Sequence, residues 1–226
     1  MASSQPDRPL QPGDVAPNVV LDAITREGKV AIDDFRGRTP VLISLSRGLH
    51  CPYCRRRITA MAQLEPALRE KGVEMLTVIN TPIERARLYF RYRPIPNLLA
   101  AADPERVSHR AFGLPNVEFT QDESDWPRKV AMSHLMSMKI NVTGELPEPL
   151  DPLAAMAALN QVHGYETTDA DQQVIATGTG QLVGDFLLDR EGIIRWSFTE
   201  VAGDGGYLFG APTPQDLISA ASRVAG

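Results

Sequence analysis

Cys51 and Cys54 are the two cysteines of the chain, and they stand three residues apart in Cys51-Pro52-Tyr53-Cys54. A single CxxC pair closes a ring too small to staple distant segments, which favours a reactive pair over a structural one. Thiol chemistry runs through the thiolate, and a free cysteine ionises near pH 8.5 unless a helix N-terminus or nearby cations lower that value. Both features are legible here. The loop Arg47–His50 leads into Cys51, and Ile58, Met61, Ala62, Leu64 and Leu68 then recur at helical spacings of three and four. Cys51 therefore falls at a helix mouth, where unpaired backbone N–H groups point at its sulfur. Pro52 fits the first turn, where its missing N–H costs nothing. Arg47, Arg55, Arg56 and Arg57 add positive charge. Cys54, one turn later, is expected to be more buried and less acidic. The spacing predicts that Cys51 attacks, forming a mixed disulfide or a sulfenic acid, and that Cys54 resolves it to an intramolecular disulfide. An outside thiol must then reduce that disulfide.

Other residues admit two readings. His50 precedes Cys51 and could stabilise its thiolate as a cation, or be an ordinary loop histidine. Tyr53 lies inside the ring and shapes access to it, or is a plain exposed aromatic. Ser44 and Ser46 read as strand residues rather than catalytic hydroxyls. Zinc wants four ligands, a lone CxxC gives two, and His50, His109, His134 and His163 show no paired ligand spacing. No cofactor or metal is expected within one chain. A metal or Fe–S site shared between subunits, or a redox sensor without turnover, stays open as an alternative.

The elements that position the pair follow from pattern. Asn18–Ala23 and Val30–Ile32, joined by a turn at Arg26–Lys29, read as a hairpin. Pro40–Ser46 and Val73–Ile79 are apolar, β-branched runs of buried-strand type. With the helix from Cys51 to about Lys71 between them they form a right-handed βαβ unit with parallel strands. A helix is expected at Pro82–Tyr92, a strand at Leu98–Ala101 and a short helix at Glu105–Phe112. From about 114 to 180 the alternation stops, and this stretch reads as an insertion. Within it Asp151 can cap a helix beginning at Pro152, and Thr168 another from Asp169. Asp185–Leu188 and Ile193–Thr199 form a second hairpin. After the glycine-rich loop Gly203–Gly210 comes a last helix, Pro214–Ala225. A βαβ followed by ββα, with CxxC opening the first helix, is the thioredoxin arrangement. The expected architecture is α/β: a central mixed sheet flanked by helices, with an N-terminal β-hairpin and a helical insertion.

Composition bounds the rest. The 226 residues are 43% hydrophobic and 23% charged, with a net charge of −5. Such a mix buries a real core. It makes nucleic acid and anionic membranes poor partners, although a local basic patch remains compatible with it. Residues 1–17 are polar and proline-rich and read as a flexible arm, with 18–226 as one domain. Neither a secretory leader nor a membrane span is legible, so a cytoplasmic location is expected.

These residues resemble the peroxiredoxin-like AhpC/TSA (redoxin) family of the thioredoxin-fold superfamily. The resemblance rests on DDFRGRTPVLISL (Asp33–Leu45), RGLHCPYCRRR (Arg47–Arg57) and QLVGDFLLDREGIIRW (Gln181–Trp196). It covers Gly13–Gly113 and Gln181–Ala225. CPYC by itself also resembles glutaredoxin. The resemblance implies an antioxidant thiol oxidoreductase reducing peroxides or disulfides, with a thioredoxin-, glutaredoxin- or glutathione-type reductant. Cys51 would attack and Cys54 resolve. Typical peroxiredoxins carry Pro and Thr or Ser seven and three residues before the reactive cysteine; here Ser44 and Gly48 stand there. Their assisting arginine, and the cis-proline of thioredoxins, would fall where Leu182-Val183-Gly184 stands. Val183 and Gly184 are then expected to face the cysteines, with Gly184 either letting a substrate approach closely or forming a glycine bulge at the strand entry. These departures favour a disulfide reductase without peroxidase activity as a further reading. The insertion, with Trp126, Met132, Met136 and Met138, could be a lid, a specificity wall or a homodimer surface, or simple core packing.

Overall fold

The structure is a computed structural model. It describes residues 6–224 except 122–124, 126–128, 143, 179 and 201–209. Its strands are β1 (Val20–Ala23), β2 (Lys29–Ala31), β3 (Val41–Ser46), β4 (Glu74–Ile79), β5 (Ala100–Ala102), β6 (Glu118–Thr120), β7 (Lys129–Ala131), β8 (Gly184–Leu188) and β9 (Ile194–Thr199). The helices are α1 (Pro52–Glu70), α2 (Ile83–Tyr92), α3 (Val107–Ala111), α4 (Met132–Ser137), α5 (Pro152–Val162), α6 (Asp169–Gly178) and α7 (Pro214–Val224).

Seven strands form one sheet in the order β2-β1-β5-β4-β3-β8-β9. β3 lies inside the sheet, parallel to β4 and antiparallel to β8. All six of its residues are buried, as a strand covered on both faces requires. Val41, Ile43 and Leu45 pack toward Phe112 and Phe186. Leu42 packs under Met61, Leu64 and Leu68 of α1 and Leu217 of α7. This is the thioredoxin-like α/β architecture read from the sequence. The β3–α1–β4 unit carries the cysteines at its first loop-to-helix junction.

The insertion holds α4, α5 and α6 as helices. It also holds a two-stranded parallel sheet, β6 with β7, which the sequence reading lacked. Strands of three residues are too short to show alternation. Asp151 Oδ1 accepts the Leu153 and Ala154 N–H groups at 3.1 and 3.0 Å, as a capping residue should. Met132 and Met138 pack with Val117, Val130, Leu135 and Leu182, while Met136 is exposed. Trp126 and Gly203–209 lie outside the described residues. Pro6–Pro17, in the segment read as an arm, lies against the body: Leu10 donates to the Phe112 carbonyl, and Gly13 and Ala16 donate to those of Ile194 and Gly192. Among the described residues no helix is long and apolar enough to cross a membrane.

Candidate active site

Cys51 is the N-cap of α1, in extended conformation, and Pro52 opens the helix. Arg55 N–H donates to the Cys51 carbonyl at 3.1 Å, closing the first turn. Cys51 and Cys54 are both reduced and buried, and with Val183 and part of Tyr53 they form one small cluster. Their acidities diverge. Cys51 is lowered to about 7, chiefly by the hydrogen bond from the Cys54 side chain. Burial and Glu200 oppose that shift, while Arg47 and the Cys54 backbone N–H support it. Cys54 is raised well above the ordinary thiol range by burial and by the Cys51 sulfur. The asymmetry expected from the spacing is present in the structure.

Arg47 supplies the nearby cation. It directly follows β3, is itself buried, and donates from Nη2 to Glu200 Oε2 at 2.6 Å. Burial opposes its charge, but Glu200 and the two cysteines outweigh burial and keep it a cation. Glu200 also accepts the Val183 N–H at 3.2 Å and donates its own N–H to the Val183 carbonyl at 3.0 Å. Glu200 thus ties Arg47 and Val183 to one point beside the thiols. Sequence reasoning missed it, because Thr199-Glu200 reads as the polar exit of a strand rather than a fully buried carboxylate.

The other arginines divide. Arg57 pairs with the fully buried Asp185 of β8. Arg56 pairs with Glu145 of the insertion. Arg55 is held by other partners, donating to the Leu49 carbonyl at 2.6 Å and to Asn160 Oδ1 at 2.7 Å, with its guanidinium 4.0 Å from the centre of the Tyr165 ring. It therefore bolts α1 to the insertion. Tyr53 does likewise, its hydroxyl donating to the Pro152 carbonyl at 3.1 Å. Its ring packs against Val142, Leu146, Ala155 and Leu159.

The structure bears on three further residues. His50 is held to about 4 by burial, with Arg47 and Arg55 adding to it, so near pH 7 it is neutral and cannot act as a cation. Gly184 does not open onto the thiols: a Cβ there would meet Leu114 Cδ2 at 2.9 Å, Phe186 Cε2 at 3.0 Å and the Phe198 carbonyl at 3.1 Å. Its smallness serves packing beneath β8, and only Val183 faces the cysteines. Gly184→Ala should therefore lower stability by about 1–3 kcal/mol through overpacking, read by urea unfolding, without moving the Cys51 titration. Third, Gly48 admits no hydroxyl-bearing side chain. A Cβ there would lie 2.6 Å from the Asn80 carbonyl and 2.7 Å from His50 Nδ1.

A cavity of about 490 Å³ opens beside the pair, lined by Arg47, Tyr53, Cys54, Val183 and Glu200 and by apolar residues of α1 and α7. Among the described residues Cys54 lines it and Cys51, 5% exposed, does not. Among the described residues no group of three or more His, Cys, Asp or Glu is placed to hold a metal ion.

Comparison with solved structures gives the same fold. The Mycobacterium tuberculosis peroxidoxin BcpB superposes with a TM-score of 0.55 at 11% identity, covering 95% of this chain and 97% of that one. A peroxiredoxin-like protein from Aquifex aeolicus gives 0.55 at 13% identity, over 96% and 88%. A protein from Chlorobium tepidum described as a putative thiol:disulfide interchange protein DsbE gives 0.50 at 16% identity, over 96% and 99%. No curated protein matches the sequence. The sequence profile of the AhpC/TSA family matches residues 12–136, a span that includes β1 to α3 and the CPYC turn and exceeds half of the chain. The chain belongs to the AhpC/TSA family of thiol oxidoreductases.

Proposed function

We propose that the protein reduces peroxides or disulfides through a Cys51–Cys54 redox centre. The observation that carries this reading is the opposed acidity of two adjacent buried thiols beside the Arg47 cation. At neutral pH Cys51 supplies thiolate, the reactive form, while Cys54 holds its proton. With a peroxide, the Cys51 thiolate forms an S–O bond as the O–O bond breaks, and the departing alkoxide or hydroxide takes a proton. Cys54 then attacks the sulfenic sulfur, water leaves, and a disulfide remains. With a disulfide substrate, Cys51 forms a mixed disulfide, and Cys54 displaces the substrate thiol. Two equivalents of a thioredoxin-, glutaredoxin- or glutathione-type thiol restore the dithiol. Such a cycle suits a reducing, cytoplasmic setting.

A second reading, disulfide reduction without peroxidase activity, is favoured by Gly48. The Asn80 carbonyl and the His50 ring fill the space that a peroxide-activating hydroxyl would need. One assay decides between them: consumption of hydrogen peroxide, of cumene hydroperoxide and of a model disulfide, with dithiothreitol as donor, for the wild type and Cys51→Ser. Cys51→Ser should lose about a hundredfold or more on any substrate the wild type uses. Full activity in that variant overturns the assignment of the nucleophile. Disulfide reduction with no peroxide consumption establishes the second reading.

A further inference from the structure

A second cavity, of about 450 Å³, lies beside the first along the neighbouring face of α1. It is lined by Arg55, Arg56, Arg93, His163 and Glu145, with Thr59, Gln63 and Tyr89 as further polar walls. Three guanidiniums thus face one carboxylate. Burial keeps His163 below its ordinary range, and its Nε2 lies 2.7 Å from Glu145 Oε2 while its Nδ1 lies 3.0 Å from Arg55 Nη2. A neutral ring with its proton on Nε2 satisfies both contacts. The pocket is therefore positive in a chain whose net charge is −5. Arg93 is anchored from its side, donating to the His163 and Gly164 carbonyls at 3.1 and 3.0 Å. Arg55 is buried and its Nε has no hydrogen-bond partner. Buried donors of this kind are costly to leave unpaired, and planar guanidiniums match carboxylates geometrically.

The two cavities share Arg56 and Ala60, one turn apart on α1, so the basic pocket adjoins the one that reaches Cys54. Between them stands the Arg56–Glu145 ion pair, whose side chains are 39% and 28% exposed. A pair so exposed is weak, and an entering carboxylate can take over Arg56 from Glu145.

Building on the thiol oxidoreductase reading, we propose that Arg55, Arg56 and Arg93 form a carboxylate-binding subsite that selects small anionic thiols and disulfides for the Cys51–Cys54 centre. The carboxylate end of the ligand rests in the basic pocket, and its sulfur reaches the thiols through the adjoining cavity. The exchange balances as ordinary thiol–disulfide chemistry. The Cys51 thiolate forms a bond to one substrate sulfur and expels the other as a thiolate; Cys54 then closes the protein disulfide, releases the second thiolate, and loses its proton to solvent.

Three disulfides with similar reacting sulfurs and different charge test this. Glutathione disulfide bears carboxylates, 2-hydroxyethyl disulfide is neutral and cystamine is cationic. Stopped-flow oxidation of the reduced wild type should be fastest with the first and slowest with the last, with about tenfold between anionic and neutral. Gln63→Glu, on an exposed position, adds a repelling carboxylate without removing a contact, and Arg93→Ala removes a cation. Both should abolish the preference, Gln63→Glu should leave the rate with 2-hydroxyethyl disulfide unchanged, and Arg93→Lys should restore part of what Arg93→Ala loses. Equal rates for the three disulfides, or a preference unmoved by Gln63→Glu, overturn the subsite. Failure of all three to react would count against the oxidoreductase reading, and the subsite is then decided by calorimetry. In that case S-methylglutathione should bind wild type at least about tenfold tighter than Gln63→Glu, and equal or absent binding overturns it.

Discussion

A Cys54→Ser protein is expected to consume one equivalent of oxidant per chain and then stop. Cys51 keeps its place at the N-cap of α1 and its Arg47 neighbour, so the attack survives. No second thiol remains to displace the adduct, so a sulfenic acid or mixed disulfide persists on Cys51 and is visible by mass. The burst should also have a distinctive pH profile. Cys51 is lowered to about 7, and the largest cause is the hydrogen bond from the Cys54 side chain. Serine keeps an O–H donor at that position; alanine does not. In both variants the single-turnover rate rises with pH as thiolate forms, but the midpoint for Cys54→Ala should lie higher, moving toward the ordinary thiol value of about 8.5. Coincident midpoints for the two variants would show that the Cys54 hydrogen bond does not set the acidity of Cys51. Continued turnover in Cys54→Ser would remove Cys54 from the resolving role.

The largest effect on stability is expected from Arg47→Met. Arg47 and Glu200 are paired in the interior, with side chains 9% and 0% exposed. Removing one member of a buried pair leaves an uncompensated charge, at a cost of about 3–5 kcal/mol. Urea unfolding should show that loss, and the double variant Arg47→Met, Glu200→Gln should recover most of it. The Cys51 titration, followed by thiolate absorbance, separates packing from electrostatics. Arg47 lowers the Cys51 pKa and Glu200 raises it. Arg47→Met should therefore move the midpoint up, and Glu200→Gln, with Arg47 in place, should move it down. The double variant is expected to regain stability while its midpoint stays above that of Glu200→Gln. A double variant as unstable as the single would deny the coupling. An unmoved midpoint in Arg47→Met would deny the cation any role at the thiol.

Much of the framework was legible from local pattern. The run Pro40–Ser46 reads as a buried strand because apolar β-branched residues there are bounded by polar ones, and β3 is buried throughout. The helix after CPYC reads from its three- and four-residue spacing, and α1 runs Pro52–Glu70. Asp151-Pro152 announces a helix start because a capping carboxylate and an N1 proline satisfy or avoid the same orphan N–H groups, and α5 begins there. β6 and β7 were not legible, because their pairing is set by contacts with Leu182 and Leu135 rather than by any run of their own. The same holds for Arg55, placed near Cys51 by sequence yet directed by Asn160 and Tyr165 toward the insertion.

By itself the sequence determined that two thiols three residues apart open a helix after a buried strand, and it pointed to the first as the more acidic. Helix geometry and capping are local, so four residues and their neighbours suffice for that conclusion. Only the tertiary structure decided which charges surround the pair. Glu200 lies 153 residues beyond Arg47 and Val183 lies 132 beyond Cys51, and β8 and β9 bring them to the helix mouth by pairing beside β3. Burial holds His50 neutral and raises Cys54, while the charge of Glu200 overcomes burial to keep Arg47 a cation. Burial and long-range charge are properties of the packed chain, and no local spacing encodes them.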